Sequence, residues 1–413
     1  MLRVKQTALI TRSTVPAELK RKEPGTTKRA YKLPPGSKLR GARCDRRDVA
    51  HSAVPIRSKR EIQVLLDSSD PRGSYSEASR PFRRTVYTEE MDWVQHRSSS
   101  RLFDNLWTTL SSGVVRSLWL EVGSVATVAV AVVLWNSAVL DYTDFSMVNH
   151  LGPLSNLRLF ALKLSGLPFT LSSPALGLLL VFRTNASYAR WLEARTAWGR
   201  ISSHTRNVVR QSLAWGQGDL EQVQRIACLG GAFARCLRQD LQSVSDSQLE
   251  LELEGLVGVE LTELLMKTTR RPACALGLLS AAINNELDLD DPKRAIEMDK
   301  SLIILNEALE TCERLYSSPV PLVYTRHTGR FLIVWLLLMP LALFEPLSTA
   351  WNHFTLIPAS TLIAIFFFGI EELSVQLEEP FSILPLDIIC DNIDDGANEM
   401  IRFSNLAKSL QRD

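Results

Sequence analysis

Four stretches of this chain are too apolar and too long to leave facing water, and they fix its class before any other feature is read. The first, about residues 117–140, runs from Ser117 through an Ala- and Val-rich centre to Trp135 and Asn136. It is long enough to cross a hydrocarbon core of ~30 Å at ~1.5 Å per residue. Trp119 and Trp135 stand near its two ends, where interfacial aromatics belong. The second, about 159–182, is unusual in holding Lys163, Pro168 and Pro174. The third, about 331–347, ends at Glu345-Pro346, and the fourth covers about 354–370. The last two are short for membrane spans, so a two-span arrangement competes with a four-span one.

The intervening sequence has another character. Residues 183–330 are charged, with amphipathic stretches such as Glu250 to Lys267 and no sustained strand-like alternation, which predicts a helical domain outside the membrane. The expected organisation is a basic leader at 1–80; an amphipathic N-terminal helix and two membrane segments at 81–182; the helical domain at 183–330; two further membrane segments at 331–370; and a polar C-terminal segment at 371–413. The connection 141–158 carries Asp141 and Asp144 against Arg158, whereas Arg183, Arg190, Arg195, Arg200, Arg206 and Arg210 follow the second segment. By the positive-inside rule the arginine-rich side is the insertion side, and with four spans both termini lie there too.

Charge separates the leader from the rest. Residues 1–60 hold 17 Lys plus Arg and 4 Asp plus Glu, leaving 30 basic and 41 acidic residues elsewhere out of totals of 47 and 45. The leader lacks the apolar core of a secretory signal and carries Pro16, Pro24, Pro34, Pro35 and Pro55. Such a composition cannot bury a core. It fits a chloroplast or mitochondrial transit peptide, cut somewhere about 55–80, with a basic cytoplasmic tail as the plainer alternative.

Catalytic signatures are missing. There is no nucleophile elbow, Gly-rich phosphate loop or HExxH, so the sequence offers no case for an enzyme. His204, His327 and His353 stand apart, and Cys44, Cys228, Cys236, Cys274, Cys312 and Cys390 form no CxxC pair. Neither set signals a metal, so no metal or other cofactor is expected, and the cysteines read as small buried hydrophobes. No binding motif accompanies the basic leader, which argues against nucleic acid as a partner.

The second membrane segment is where transport chemistry concentrates. Prolines remove backbone donors, and at membrane depth the freed carbonyls must be re-satisfied or line a wet cavity. An intramembrane Lys costs ~2.5–3.5 kcal/mol on insertion scales and usually faces a bundle interior or a pathway. Lys163, Leu167, Leu171 and Ala175 are spaced i, i+4, which predicts one helix face carrying a cation and then a narrow apolar stripe. That face suits an anion path with a hydrophobic constriction. It equally suits a snorkelling lysine above a helix-packing stripe.

Three stretches bear on the choice. Residues 182–195 (Phe-Arg-Thr-Asn-Ala-Ser-Tyr-Ala-Arg-Trp-Leu-Glu-Ala-Arg), residues 312–330 from Cys312 to Arg330, and residues 369–381 (Gly-Ile-Glu-Glu-Leu-Ser-Val-Gln-Leu-Glu-Glu-Pro-Phe) resemble, in order, three signatures of the bestrophin family of anion channels. The resemblance covers about 82–405, and the basic leader is similar to that of the plant thylakoid branch, the voltage-dependent chloride channels. It implies an all-α membrane protein with four transmembrane segments and a helical extramembrane domain, homopentameric around one central pore. It implies a neck at Leu167, Leu171 and Ala175, a pore entrance at Lys163 and a second constriction at Val320. Animal members carry Ile and Phe in the neck, so the Leu and Ala here imply a wider one. Animal members also follow the third signature with an acidic run that holds calcium. Here Ser382-Ile-Leu-Pro-Leu-Asp387 follows, leaving Gln376, Asp387 and Glu379 as the matching oxygens, short of the six to eight that calcium takes. The implied partners are chloride and other small monovalent anions, membrane lipid and further copies of the chain. A bicarbonate-conducting channel and a non-conducting membrane scaffold stand as alternatives.

Overall fold

A computed structural model of the chain describes residues 90–100, 103, 107, 117–140, 142–143, 149–150, 160–216, 220–242, 244–287, 291–347 and 353–410. The chain divides into units Met1–Gly41 and Ala42–Asp413, and every described residue belongs to the second. The leader expected at 1–80, with Cys44, lies outside the described residues.

The described residues are almost wholly helical. In chain order the helices are α1 (Glu90–Arg97), α2 (Trp119–Val139), α3 (Leu167–Trp215), α4 (Leu220–Gln242), α5 (Asp246–Val257), α6 (Val259–Met266), α7 (Arg271–Glu286), α8 (Pro292–Ser317), α9 (Leu322–Leu343), α10 (Leu356–Glu378) and α11 (Leu386–Leu410). A two-residue antiparallel pair, Tyr142 with His150 and Thr143 with Asn149, interrupts them.

Among the described residues four helices, α2, α3, α9 and α10, are long and apolar enough to cross a membrane, so four candidate spans are present rather than two. Three of them overrun the limits expected from hydropathy. Helix α3 has 49 residues, about 74 Å at ~1.5 Å per residue, and continues far beyond any bilayer. The boundary expected at 182/183 falls inside it, and the one at 330/331 falls inside α9. In α3 the physical reason is that nothing stops the backbone at that boundary. Hydropathy drops after Phe182, but no Gly or Pro follows until Gly199, so the hydrogen-bond ladder continues.

The second segment also begins later than expected. Residues 160–166 are not helical, and α3 starts at Leu167. Buried Asn136 of α2 takes both polar groups of Leu162, donating to its carbonyl at 3.0 Å and accepting from its N–H at 2.7 Å. The Trp135 indole donates to the Phe160 carbonyl at 2.9 Å, and the Leu164 N–H donates to the Leu341 carbonyl at 3.0 Å. These partners replace the intrahelical bonds that residues 160–166 forgo. Pro168 then sits in the first turn of α3, where a missing N–H costs nothing. Only Pro174 lies inside the helix, and it cannot donate to the Thr170 carbonyl.

Two principal cores stabilise the chain. In the membrane region, Val125 of α2, Leu176 and Leu180 of α3, Leu336 of α9 and Ala364 of α10 pack together. In the extramembrane region, Trp198, Ile201, Phe233, Leu249, Leu279, Leu305 and Phe381 gather α3, α4, α5, α7, α8 and the turn after α10. Trp198 and Phe233 are fully buried. Cys236, Cys312 and Cys390 lie in the same core, and burial pushes each thiol up to about 12.

Candidate ion pathway

Helix α3 turns one face to the protein and the other outward. Leu176, Leu180, Arg183, Ser187, Ala194, Trp198, Ile201 and Thr205 are buried. On the opposite side Leu167 is 63% exposed and Leu171 72%, and Ala175 is exposed as well. Leu178 and Phe182 continue the same stripe. They belong to it by the i, i+3 and i+4 spacing, a signal present in the sequence that the shorter stripe left out. Beyond Phe182 the outward face gains polar residues, with Asn185, Thr196, Arg200, Ser203 and Arg210 exposed alongside Tyr188 and Leu192.

Leaving leucines such as Leu167, Leu171 and Leu178 against water forfeits ~1.5–3 kcal/mol each. Something other than bulk water therefore covers this face: lipid, another copy of the chain, or a narrow dry passage.

Lys163 is not on that helix. It precedes α3 by one turn in the non-helical segment, so the i, i+4 relation expected between Lys163 and Leu167 does not hold as a helix-face relation. Its Nζ lies 3.9 Å from Glu345 Oε1, with both side chains largely exposed. A pair so exposed contributes ~0–1 kcal/mol, which leaves Lys163 free to respond to solution ions.

Below the apolar stripe the three family-like stretches converge on one polar seam between α3 and α10. Arg183 and Glu371 form a buried ion pair. The Thr184 and Ser374 hydroxyls meet at 2.8 Å. Arg190 Nε donates to the Glu378 carbonyl at 3.0 Å. The offsets between partners are 188, 190 and 188 residues, so the two helices run in the same direction here, as the second and fourth spans of a four-span chain must.

The middle stretch is tied into the same seam. Arg190 also donates to the Ser318 carbonyl at 2.8 Å and the Leu315 carbonyl at 2.6 Å. The Val320 N–H donates to Glu378 Oε1 at 3.1 Å, and the Tyr324 hydroxyl donates to the Leu179 carbonyl at 3.3 Å. Val320 is half-buried in the α8–α9 turn, fastened from below by Glu378.

Of the residues offered for calcium, Asp387 is engaged by an arginine and Gln376 bonds through its amide nitrogen. Gln376 donates to Glu372 at 2.8 Å, and Asp387 accepts from Arg238 at 2.9 Å. Asp391 pairs with Arg235 at 3.2 Å, and Asp394 pairs with the same guanidinium, which also lies 3.3 Å from Glu252. Arg238 joins Glu252 at 2.7 Å. Two arginines of α4 thus pair with Asp387, Asp391 and Asp394 on the acidic face of α11 from within the protein. Burial pushes the Asp394 carboxyl up while Arg235 pulls it down, with a net rise. Among the described residues no group of three His, Cys, Asp or Glu side chains could hold a metal ion.

Comparison with known proteins agrees with this geometry. The family model described as Bacterial/Fungal Bestrophin protein matches residues 92–399. Two Arabidopsis thaliana proteins, voltage-dependent chloride channels 1 and 2, chloroplastic, are 34% and 35% identical over 351 and 332 residues. Those matches cover 84% and 79% of this chain and 80% and 75% of theirs. The crystal structure of a bacterial bestrophin homolog from Klebsiella pneumoniae superposes with a TM-score of 0.58 at 26% identity, covering 70% of this chain and 99% of that one. With a family match across three-quarters of its length, the three stretches meeting in one seam and four membrane-length helices around it, the chain belongs to the bestrophin family.

Proposed function

We propose that the protein is an anion channel of the chloroplast thylakoid membrane, conducting chloride and other small monovalent anions. The observation that carries this reading is the outward face of α3, apolar through the membrane-spanning part and carrying exposed arginines beyond it, in a family whose plant relatives are named chloride channels. In a homopentamer, five copies of this face enclose one central pore. Leu167, Leu171 and Ala175 form its neck, Lys163 stands at the entrance, and Val320 forms a second constriction at the far end of the extramembrane vestibule.

The chemistry follows from these placements. A ring of lysines at a wet entrance attracts anions by ~1 kcal/mol per close contact, enough to concentrate them without trapping them. Leucine rings offer an anion no hydrogen bonds, so passage depends on whether the neck stays hydrated. Ala175 widens the last turn of that neck. Exposed Leu134 of α2, Val334 and Leu338 of α9 and Phe366 of α10 supply the lipid-facing surface. Both termini lie on the stromal side. During light-driven proton pumping, anion flow down the membrane voltage dissipates that voltage and shifts the proton motive force towards its pH component.

Purified protein in a planar bilayer tests the proposal. Anion current that survives replacement of the cation supports it. The chloride-to-bicarbonate permeability ratio then fixes the preferred ion, and a bilayer that stays silent refutes it in favour of a scaffold.

A further inference from the structure

We propose that Arg190 and Glu378 are positioning residues that set the aperture at Val320 and thereby the size of anion the channel admits. The inference rests on the reading of Val320 as a constriction. The residues on either side of Val320 are Pro319 and Pro321, which have no N–H, so the turn has few backbone donors with which to hold itself. The Val320 N–H is spent on Glu378 Oε1 at 3.1 Å. The carbonyl two residues earlier, at Ser318, accepts from Arg190 at 2.8 Å, and the same guanidinium closes the end of α8 at Leu315 and reaches the Glu378 carbonyl at the end of α10. One arginine on the pore-lining helix therefore binds the last residues of two other helices, and the carboxylate of one of them holds the constriction residue by its backbone.

This arrangement fixes Val320 by its backbone. Its position depends on where α3 places Arg190 and where α10 ends, so a shift of α3 in the neck is transmitted to the second constriction through these hydrogen bonds. The fork geometry matters: three carbonyls in different directions need the planar guanidinium, and a lysine ammonium cannot reproduce that set.

The test uses the full chain with a cysteine introduced as Val320→Cys, compared with the same chain lacking that cysteine. The labelling rate with a charged thiosulfonate reagent is measured in the parent and in Glu378→Ala, Glu378→Gln and Arg190→Lys. Losing a hydrogen bond with one charged partner frees the turn on the order of tenfold, so labelling accelerates about tenfold in Glu378→Ala and Arg190→Lys. Glu378→Gln stays near the parent, because its amide oxygen still accepts from the Val320 N–H. In bilayers Glu378→Ala raises the permeability of gluconate relative to chloride. Equal labelling in Glu378→Ala and the parent overturns the proposal, whatever the currents do. If instead Val320→Ala itself leaves the gluconate-to-chloride ratio unchanged, the constriction reading is what fails, and the selectivity role falls with it. Glu378→Ala trims one side chain at a helix end, and an unshifted thermal transition separates a loosened turn from a misfolded chain.

Discussion

Replacing Arg235 by methionine tests how the extramembrane helices are held together. Arg235 is 11% exposed at its side chain and faces Asp394, Asp391 and Glu252 from α4. In Arg235→Met the volume is nearly kept and the charge is lost. Glu252 retains Arg238 at 2.7 Å, and Asp391 is 67% exposed and rehydrates, so the carboxylate left stranded is Asp394, at 15% exposure. Gly231 packs so closely against Asp394 Oδ1 that even a Cβ there would collide, which leaves little room for a compensating water. Removing one partner of a buried pair costs ~3–5 kcal/mol, and the residual exposure of Asp394 places this case near the lower figure. For a unit of this size ~3 kcal/mol corresponds to a fall of roughly 6–12 °C in Tm. The penalty depends on pH with a definite sign. Asp394 titrates above the ordinary carboxylate range in the native protein because burial outweighs Arg235, and losing Arg235 raises it further. A carboxyl raised in the folded state binds protons that the unfolded state releases, so its destabilising effect is full above the folded value and fades as pH falls towards the ordinary range. Thermal scans in detergent, read by tryptophan fluorescence to which fully buried Trp198 contributes, should show the deficit at about pH 8 and a smaller one at about pH 5. Adding Asp394→Leu should recover much of the loss. A variant melting within a degree or so of the parent at about pH 8, or a deficit indifferent to pH, would refute the reasoning.

Three further outcomes follow from the pathway. Lys163→Glu sets a second carboxylate opposite Glu345, 3.9 Å from the present ammonium, and should lower anion current roughly fivefold, the equivalent of ~1 kcal/mol in water, while Lys163→Arg changes little. Single-channel records with ion substitution measure both. Leu171→Ala should raise conductance without reversing ion selectivity, because it removes apolar bulk from an outward position and leaves every charge in place. Open probability should be the same in strong chelator and in micromolar free calcium, since Asp387, Asp391 and Asp394 already answer to Arg238 and Arg235; a large reversible difference would show a cation site elsewhere in the chain.

Much of this fold is legible in the sequence because a membrane leaves few options. An apolar run of about 20 residues has to become a helix, and α2 lies close to where hydropathy places it, while α10 begins there. Their exact ends are less legible, since hydropathy marks the edge of a bilayer and says nothing about where a backbone ladder stops; α3 and α9 pass straight through that edge. Lys163 illustrates a different limit. Residues 160–164 are apolar enough to read as helix, yet Asn136, Trp135 and Leu341 compete for their backbone from sites far along the chain and win. The seam between α3 and α10 is the least legible feature of all. Arg183 with Glu371, and Arg190 with Glu378, are pairs separated by 188 residues, and no local period reports a contact of that kind. The outward stripe of α3 is the converse case: Leu178 and Phe182 follow from spacing alone once the helix is known to continue.

The central claim, that this chain conducts anions through a pore lined by α3, is tested most directly by the reversal potential of the purified, reconstituted protein under a potassium chloride gradient. A reversal close to the chloride equilibrium potential, moving towards zero in Lys163→Glu, is the expected result. A reversal close to the potassium equilibrium potential, or no current from protein that is folded and inserted, would contradict it.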